Sequence, residues 1–142
     1  MKPAIVFLIS ILLSACSAER MIVVKDRAET ARLGESAEVY WHAMRWGDHP
    51  AASAFIEDPD ARFAWLERVT EERVRHYRSA EVLSVVAGPL LEEDPRGIQR
   101  EGVVIAKVSY YAMPSQVLKS DMVKQEWYRA AGGWYLSAED AQ

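Results

Sequence analysis

Gln125-Glu126-Trp127-Tyr128-Arg129-Ala130-Ala131-Gly132-Gly133-Trp134-Tyr135-Leu136 decides the architecture. Two short runs rich in aromatic and aliphatic residues flank a Gly-Gly pair, which reads as an antiparallel hairpin turning at Gly132-Gly133. Successive side chains of a strand point to opposite faces. One member of each pair, Trp127/Tyr128 and Trp134/Tyr135, must therefore leave the core or line a groove, and the same holds for Tyr110/Tyr111. Working back along the chain, the first arm of this hairpin runs from Val117 to Arg129, and Met113-Pro114-Ser115 connects it to a strand over Ile98 to Tyr111. Asp94-Pro95-Arg96-Gly97 has the composition of a turn, with Pro second and Gly fourth. Glu81 to Leu91, rich in Val and Leu, is the strand before it, with a bulge or bend at Gly88-Pro89. The result is a four-stranded antiparallel meander.

Upstream of Glu81 the period is helical. From Ala28 to Trp46, Leu33, Ala37, Tyr40 and Met44 recur at helical spacing, with Val39, Ala43 and Trp46 widening the stripe. Gly47 stops this helix. Pro50 suits a first helical position, so Asp48 or His49 caps a short helix through about Ile56. Asp58-Pro59 repeats the device and opens a third helix with Phe63, Leu66, Thr70, Val74 and Tyr77 on its inner face. His76 falls near the end of that helix, where the dipole favours a cation. Helices first and a meander after them imply an α+β domain, with the helices packed on one face of the sheet.

The first residues are of a different kind. Behind Met1-Lys2, an apolar run from Ala4 to Leu13 is interrupted only by Ser10. Ten helical residues span about 15 Å, half of a hydrocarbon core, so the segment has the proportions of a signal-peptide core. It ends in Leu13-Ser14-Ala15-Cys16, which resembles the lipobox of bacterial lipoproteins. The resemblance implies cleavage after Ala15 and diacylation of the Cys16 thiol, the side chain nucleophilic enough to take the diacylglyceryl group. Two or three acyl chains anchor a protein stably where one does not. With Ser17 rather than Asp after the cysteine, it also implies the periplasmic face of the outer membrane. The expected organisation is thus a leader over 1–15, a lipidated Cys16 with a tether over 16–27, and one domain over 28–142. Met21 to Val24 is either part of the tether or a short edge strand.

Composition restricts the partners. The chain is 50% hydrophobic and 27% charged, the mixture of a folded globule. The leader contains one charged residue, Lys2, so the rest carries 16 basic and 21 acidic residues, a balance of −5 against −4 for the whole chain. This sign is opposite to that of a nucleic-acid binder. Arg68, Arg73, Arg75 and Arg78 do cluster, but Glu67, Glu71 and Glu72 are interleaved with them. Pairs such as Glu71/Arg75 at i,i+4 make this a salt-paired, solvated helix surface rather than an anion site. Cys16 is the one cysteine, which excludes intramolecular disulfides and cysteine-based zinc sites.

The order of helix, Gly-Asp turn, helix, helix and meander, ending in the aromatic hairpin over 125–136, resembles the nuclear-transport-factor-2-like (cystatin-like) superfamily across residues 28–138. The resemblance implies a curved sheet wrapped around a long helix, forming a cone whose mouth can hold a small apolar ligand. The superfamily includes isomerases, dehydratases and cyclases as well as non-catalytic binding and assembly modules, so the fold does not select a function.

The enzymes of that group place an Asp or an Asp/His pair inside the cone. The polar residues able to face inward here are His42, Asp48, His49, Asp58, His76, Tyr110 and Asp121, and none matches a catalytic position. His42 and His49 are separated by the breakers Gly47 and Pro50 and make a poor metal pair. Asp48 and Asp58 are accounted for as helix caps. There is no Gly-rich phosphate loop, nucleophile elbow, HExxH or zinc spacing. The expectation is therefore no catalytic residue, no metal and no cofactor. The aromatics Tyr40, Trp41, Trp46, Tyr110, Trp127 and Trp134 either fill a wide helix-on-sheet core or line a pocket or docking patch. The function expected is a lipid-anchored envelope protein with a non-catalytic domain that binds an envelope partner, a second copy or a small apolar ligand. The alternative is a small isomerase- or dehydratase-like enzyme with an Asp or His in the cone.

Overall fold

The computed structural model describes residues 26–72 and 75–141. Helix α1 occupies residues 26–46, so Asp26 and Arg27, expected in the tether, are helical. Leu33, Ala37, Tyr40, Trp41, Ala43 and Met44 form its buried stripe. Val39 and Trp46, expected on that stripe, face outward at 57% and 70% exposure. The stripe turns one position the other way because Trp41, adjacent to Tyr40, contributes the larger burial.

Gly47, at φ +70°, ends α1: its N–H donates to Met44 O, and the Asp48 N–H donates back to Ala43 O. These two bonds satisfy carbonyls that the last turn would otherwise leave open, and the left-handed conformation between them suits glycine. Asp48 then caps α2 (His49–Ser53), its Oδ1 accepting from the Ala51 N–H at 3.1 Å. The expected helix through Ile56 is shorter; turns with i→i−3 bonds carry the chain over residues 54–56. Asp58 Oδ2 accepts from the Ala61 N–H at 2.7 Å and opens α3 (Pro59–Glu72), as the Asp-Pro pair implies.

The inner face of α3 differs from the expected one. Trp65 is 2% exposed, with Ala61, Leu66 and Val69 packed against the core, while Phe63 is 68% exposed and Thr70 faces out. The phase is set by the largest ring, Trp65, which the Phe63-based spacing leaves out. The helix also stops earlier. Strand β1 is Arg75–Ala87, beginning six residues before the expected Glu81, so His76 and Tyr77 are strand residues and the helix-dipole reading of His76 fails. Arg75 is likewise on the strand, so no i,i+4 helix pair joins it to Glu71. Val74 and Arg73 lie outside the described residues.

Strands β2 (Arg100–Ala112), β3 (Leu118–Ala130) and β4 (Gly133–Leu136) complete an antiparallel sheet in the order β1-β2-β3-β4. The α+β meander thus stands. Two register shifts bend β1, between Tyr77 and Ser79 and between Val82 and Ser84; Gly88 and Pro89 follow the strand rather than bulging it. The last hairpin turns on Ala131-Gly132, with Ala130 paired to Gly133, one residue earlier than the Gly-Gly reading.

Alternation places Gly102, Val104, Ala106, Val108 and Tyr110 of β2 on the face under α1, beside Val123, Gln125 and Trp127 of β3. Tyr40 packs edge-on to Trp127 at 6.0 Å and to Phe55 at 6.2 Å between ring centroids. The Leu136 N–H donates to Phe55 O at 2.7 Å, tying β4 to the turn after α2. At the start of α1, Asp26 pairs with the buried Arg100 at 2.6 Å. Strand β4 is short, and past it the chain folds back on β3: the Glu126 N–H donates to Asp140 Oδ2 at 2.7 Å, and the Ser137 N–H donates to Glu126 O. This fold-back buries Ala141.

Candidate functional site

A cleft of about 1120 Å³ opens at one end of the domain, where the C-terminus of α1, the last turns of α3, the start of β1 and the C-terminal tail meet. A ligand-sized pocket is about 300–1000 Å³, so the cleft is large enough for a small molecule or an inserted side chain. Its walls combine two kinds of group. Met44, Trp46, Val69 and Met113 supply apolar surface; Arg45, Arg68 and Arg75 supply cations, with Glu139 as the carboxylate among the lining residues described.

Arg75, His76 and Tyr77 of β1 form the inner wall, with Tyr110 of β2 in the core beside them. Tyr77 and Tyr110 are register partners on β1 and β2, with ring centroids 5.9 Å apart. The Arg75 guanidinium lies over the Tyr110 ring at 4.8 Å, a cation–π distance. The Tyr110 hydroxyl donates to Asp121 Oδ2 at 2.6 Å. That bond is the largest reason the Tyr110 phenol titrates above its ordinary range, burial being the second. Burial also raises Tyr77, outweighing the Arg75 guanidinium beside it. Deeper along the same face, the buried Trp41 Nε1 donates to Gln125 Oε1 at 3.0 Å, and Trp41 meets Tyr77 edge-on at 5.5 Å.

Of the polar residues the sequence singled out, Tyr110 and Asp121 come together, and His49 and His76 line the cleft. Asp48 and Asp58 are caps on the surface, and His42 is exposed beside Trp46 at 6.2 Å. Five of the six singled-out aromatics, Tyr40, Trp41, Tyr110, Trp127 and Trp134, are buried and act as core; Trp46 alone stands at the cleft. Cys16 and the Leu13-Ser14-Ala15 before it lie outside the described residues. Among the described residues no cluster of His, Cys, Asp or Glu is placed to hold a metal ion, and no helix is long and apolar enough to cross a membrane.

No protein-family model, curated protein or solved structure matches this chain. Sequence reasoning missed Arg45 and Gln125. Gln125 could have been found from strand alternation, which puts it two residues from Trp127 on the buried face. Arg45 carries no such signal, because it reads as an ordinary surface cation next to Trp46.

His49 gives the stability of the domain a pH dependence. Burial lowers its pKa from 6.5, the Asp48 carboxylate opposes that shift, and the imidazole of His76 adds to it. The folded state then favours neutral His49, so the unfolded chain takes up the proton first as pH falls. Stability contributed by this group is complete above its unfolded pKa of about 6.5 and is lost as pH drops from there toward the lower folded value. Thermal melts of the protein and of His49→Gln across about pH 7.5 to 5 are expected to show the smaller acid-side loss in the variant; parallel curves would exclude the effect.

Proposed function

We propose that this chain is a lipid-anchored envelope protein of the bacterial type whose domain binds rather than catalyses, with the cleft as its binding site. The observation that carries the second half of this reading is how the sheet's inner face is used. Trp41, Tyr40, Trp127, Trp134 and Leu136 fill it, and the buried polar residues described there and nearby are Ser53, Arg100 and Gln125. None is a carboxylate or imidazole able to serve as an interior acid or base. Whatever binds is left with the open end, which supports the picture of a cystatin-like cone plugged by its own aromatics and used at its mouth.

The anchor half of the reading rests on the lipobox likeness. Nine residues lie between Cys16 and Asp26, and the ten steps they make reach at most about 35 Å. Helix α1 spans about 30 Å and carries the cleft at its C-terminal end, so the cleft and the attachment of the anchor segment lie at opposite ends of the helix. A second reading, a small isomerase- or dehydratase-like enzyme, is favoured by the Tyr110–Asp121 contact beside Arg75. Asp121 is exposed, however, and the phenol holds its proton, which suits a structural bond better than proton abstraction.

The experiment is intact-mass spectrometry of the protein extracted from bacterial membranes in mild detergent, with its companions. Thr70, exposed on α3, is one of the residues lining the cleft, and the expected result is an N-terminus at Cys16 bearing two or three acyl chains, and a companion lost from a Thr70→Trp variant in which the indole occupies the cleft. An unmodified chain would overturn the anchor, and a companion retained by Thr70→Trp would overturn the cleft.

A further inference from the structure

Arg45, Arg68 and Arg75 belong to three different elements, α1, α3 and β1, yet line one cleft together with His49 and His76. Among the described lining residues three arginines stand against one carboxylate, Glu139, in a chain whose net charge is −4, so the sign is locally reversed there. Among the described residues Arg45 and Arg68 form no ion pair, as is also true of Arg27, Arg62 and Arg78; what sets Arg45 and Arg68 apart is that they share one cleft. Arg45 lies 5.8 Å from the centroid of the Trp46 ring. Guanidinium groups gathered in a concave, partly apolar site focus the field on an anion and match the two oxygens of a carboxylate. Beside them, Trp46 at 70% and Met113 at 55% exposure leave apolar surface open to solvent within the same cleft. Cations and exposed apolar groups in one site call for a ligand that has both features.

We infer that the cleft takes a small organic carboxylate with an apolar body, the carboxylate held by Arg45 and Arg68 and the body lying against Trp46 and Met113. This rests on the reading of the cleft as the binding site. It deepens that reading by giving the ligand a charge.

The test uses titration calorimetry on the full-length protein in lipid nanodiscs, with empty nanodiscs as the blank. The probes are 2-naphthoate and its neutral counterpart 2-naphthamide, and octanoate and octanamide, so each pair shares a body and differs in charge. The expected result is saturable binding of one acid or both, weaker for the matching amide by about tenfold or more. Arg45→Gln/Arg68→Gln should weaken the acid by a similar factor and leave the amide unchanged. Both arginines are exposed, so circular dichroism and melting should match those of the parent. Preference for naphthoate assigns an aromatic body and preference for octanoate an acyl one, and either supports the inference. Acid and amide binding equally, with no response to the double substitution, would overturn the anion while leaving the cleft intact as an apolar site. Binding that persists in Thr70→Trp, or none by any of the four probes, would overturn the cleft as a small-molecule site together with its charge.

Discussion

Trp127→Ala is expected to destabilise the domain by about 3–5 kcal/mol, a large fraction of the stability of a domain this size. Trp127 is 1% exposed and sits where β3, α1 and the turn after α2 converge, edge-on to Tyr40 and to Phe55 at 5.7 Å. Truncation removes the ring on which both of those aromatics pack, and the sheet beneath cannot close on the space without shifting Gly102, its register partner on β2. Trp127→Phe should cost much less, roughly 1–2 kcal/mol. The indole Nε1 is buried without a hydrogen-bond partner, and replacing it with an apolar ring removes a group whose desolvation is unfavourable. Urea unfolding of the two variants, compared through their midpoints, measures the difference. Equal losses for Ala and Phe would show that the indole's edge, and not its volume, is what the core uses.

The second large effect is expected at Gly102→Ala, at about 1–3 kcal/mol. A Cβ there would stand 2.5 Å from Leu33 Cδ2, 3.1 Å from the Trp134 ring and 3.2 Å from Val86 O. Leu33 is fully buried, so its methyl can move aside only by displacing core neighbours, and the ring and the carbonyl belong to paired strands. The close approach of α1 to the sheet at this point therefore requires glycine. Shortening the opposing side chain should relieve part of the strain. In a double-mutant cycle, Leu33→Val is predicted to cost less in the Gly102→Ala background than alone, with a coupling of at least about 0.5 kcal/mol. Additive costs would place the strain in the strand backbone instead of at the helix.

Asp48, Asp58 and their following prolines marked two helix starts from sequence because a cap is a local device: donor, acceptor and restricted φ lie within three residues. The four strands were legible for a similar reason, since Asp94-Pro95-Arg96-Gly97 and the glycines after Ala131 punctuate the meander. The junction between α3 and β1 has no Gly or Pro to mark it. Arg75, Tyr77 and Arg78 fit a helical face as well as a strand, and what decides between them is pairing with Tyr110 and Ala112, more than thirty residues away. The phase of α3 was hidden in the same way, because Phe63 and Trp65 are both plausible anchors and only the shape of the core selects Trp65. The cleft was the least visible part. Its arginines are contributed by separate elements, and the one cluster evident in the sequence, Arg68 to Arg78, reads as a helix surface until β1 replaces its second half.

The tail that folds back on β3 has a practical side. Asp140 holds the Glu126 N–H, Ala141 is 5% exposed, and Glu139 and Ala141 form one wall of the cleft. An affinity tag or fluorescent fusion joined after Gln142 would begin one residue from that wall and compete with whatever enters. Reporter and pull-down designs are better served by an insertion in the turn at Pro95–Gly97, whose residues are exposed and not among those lining the cleft.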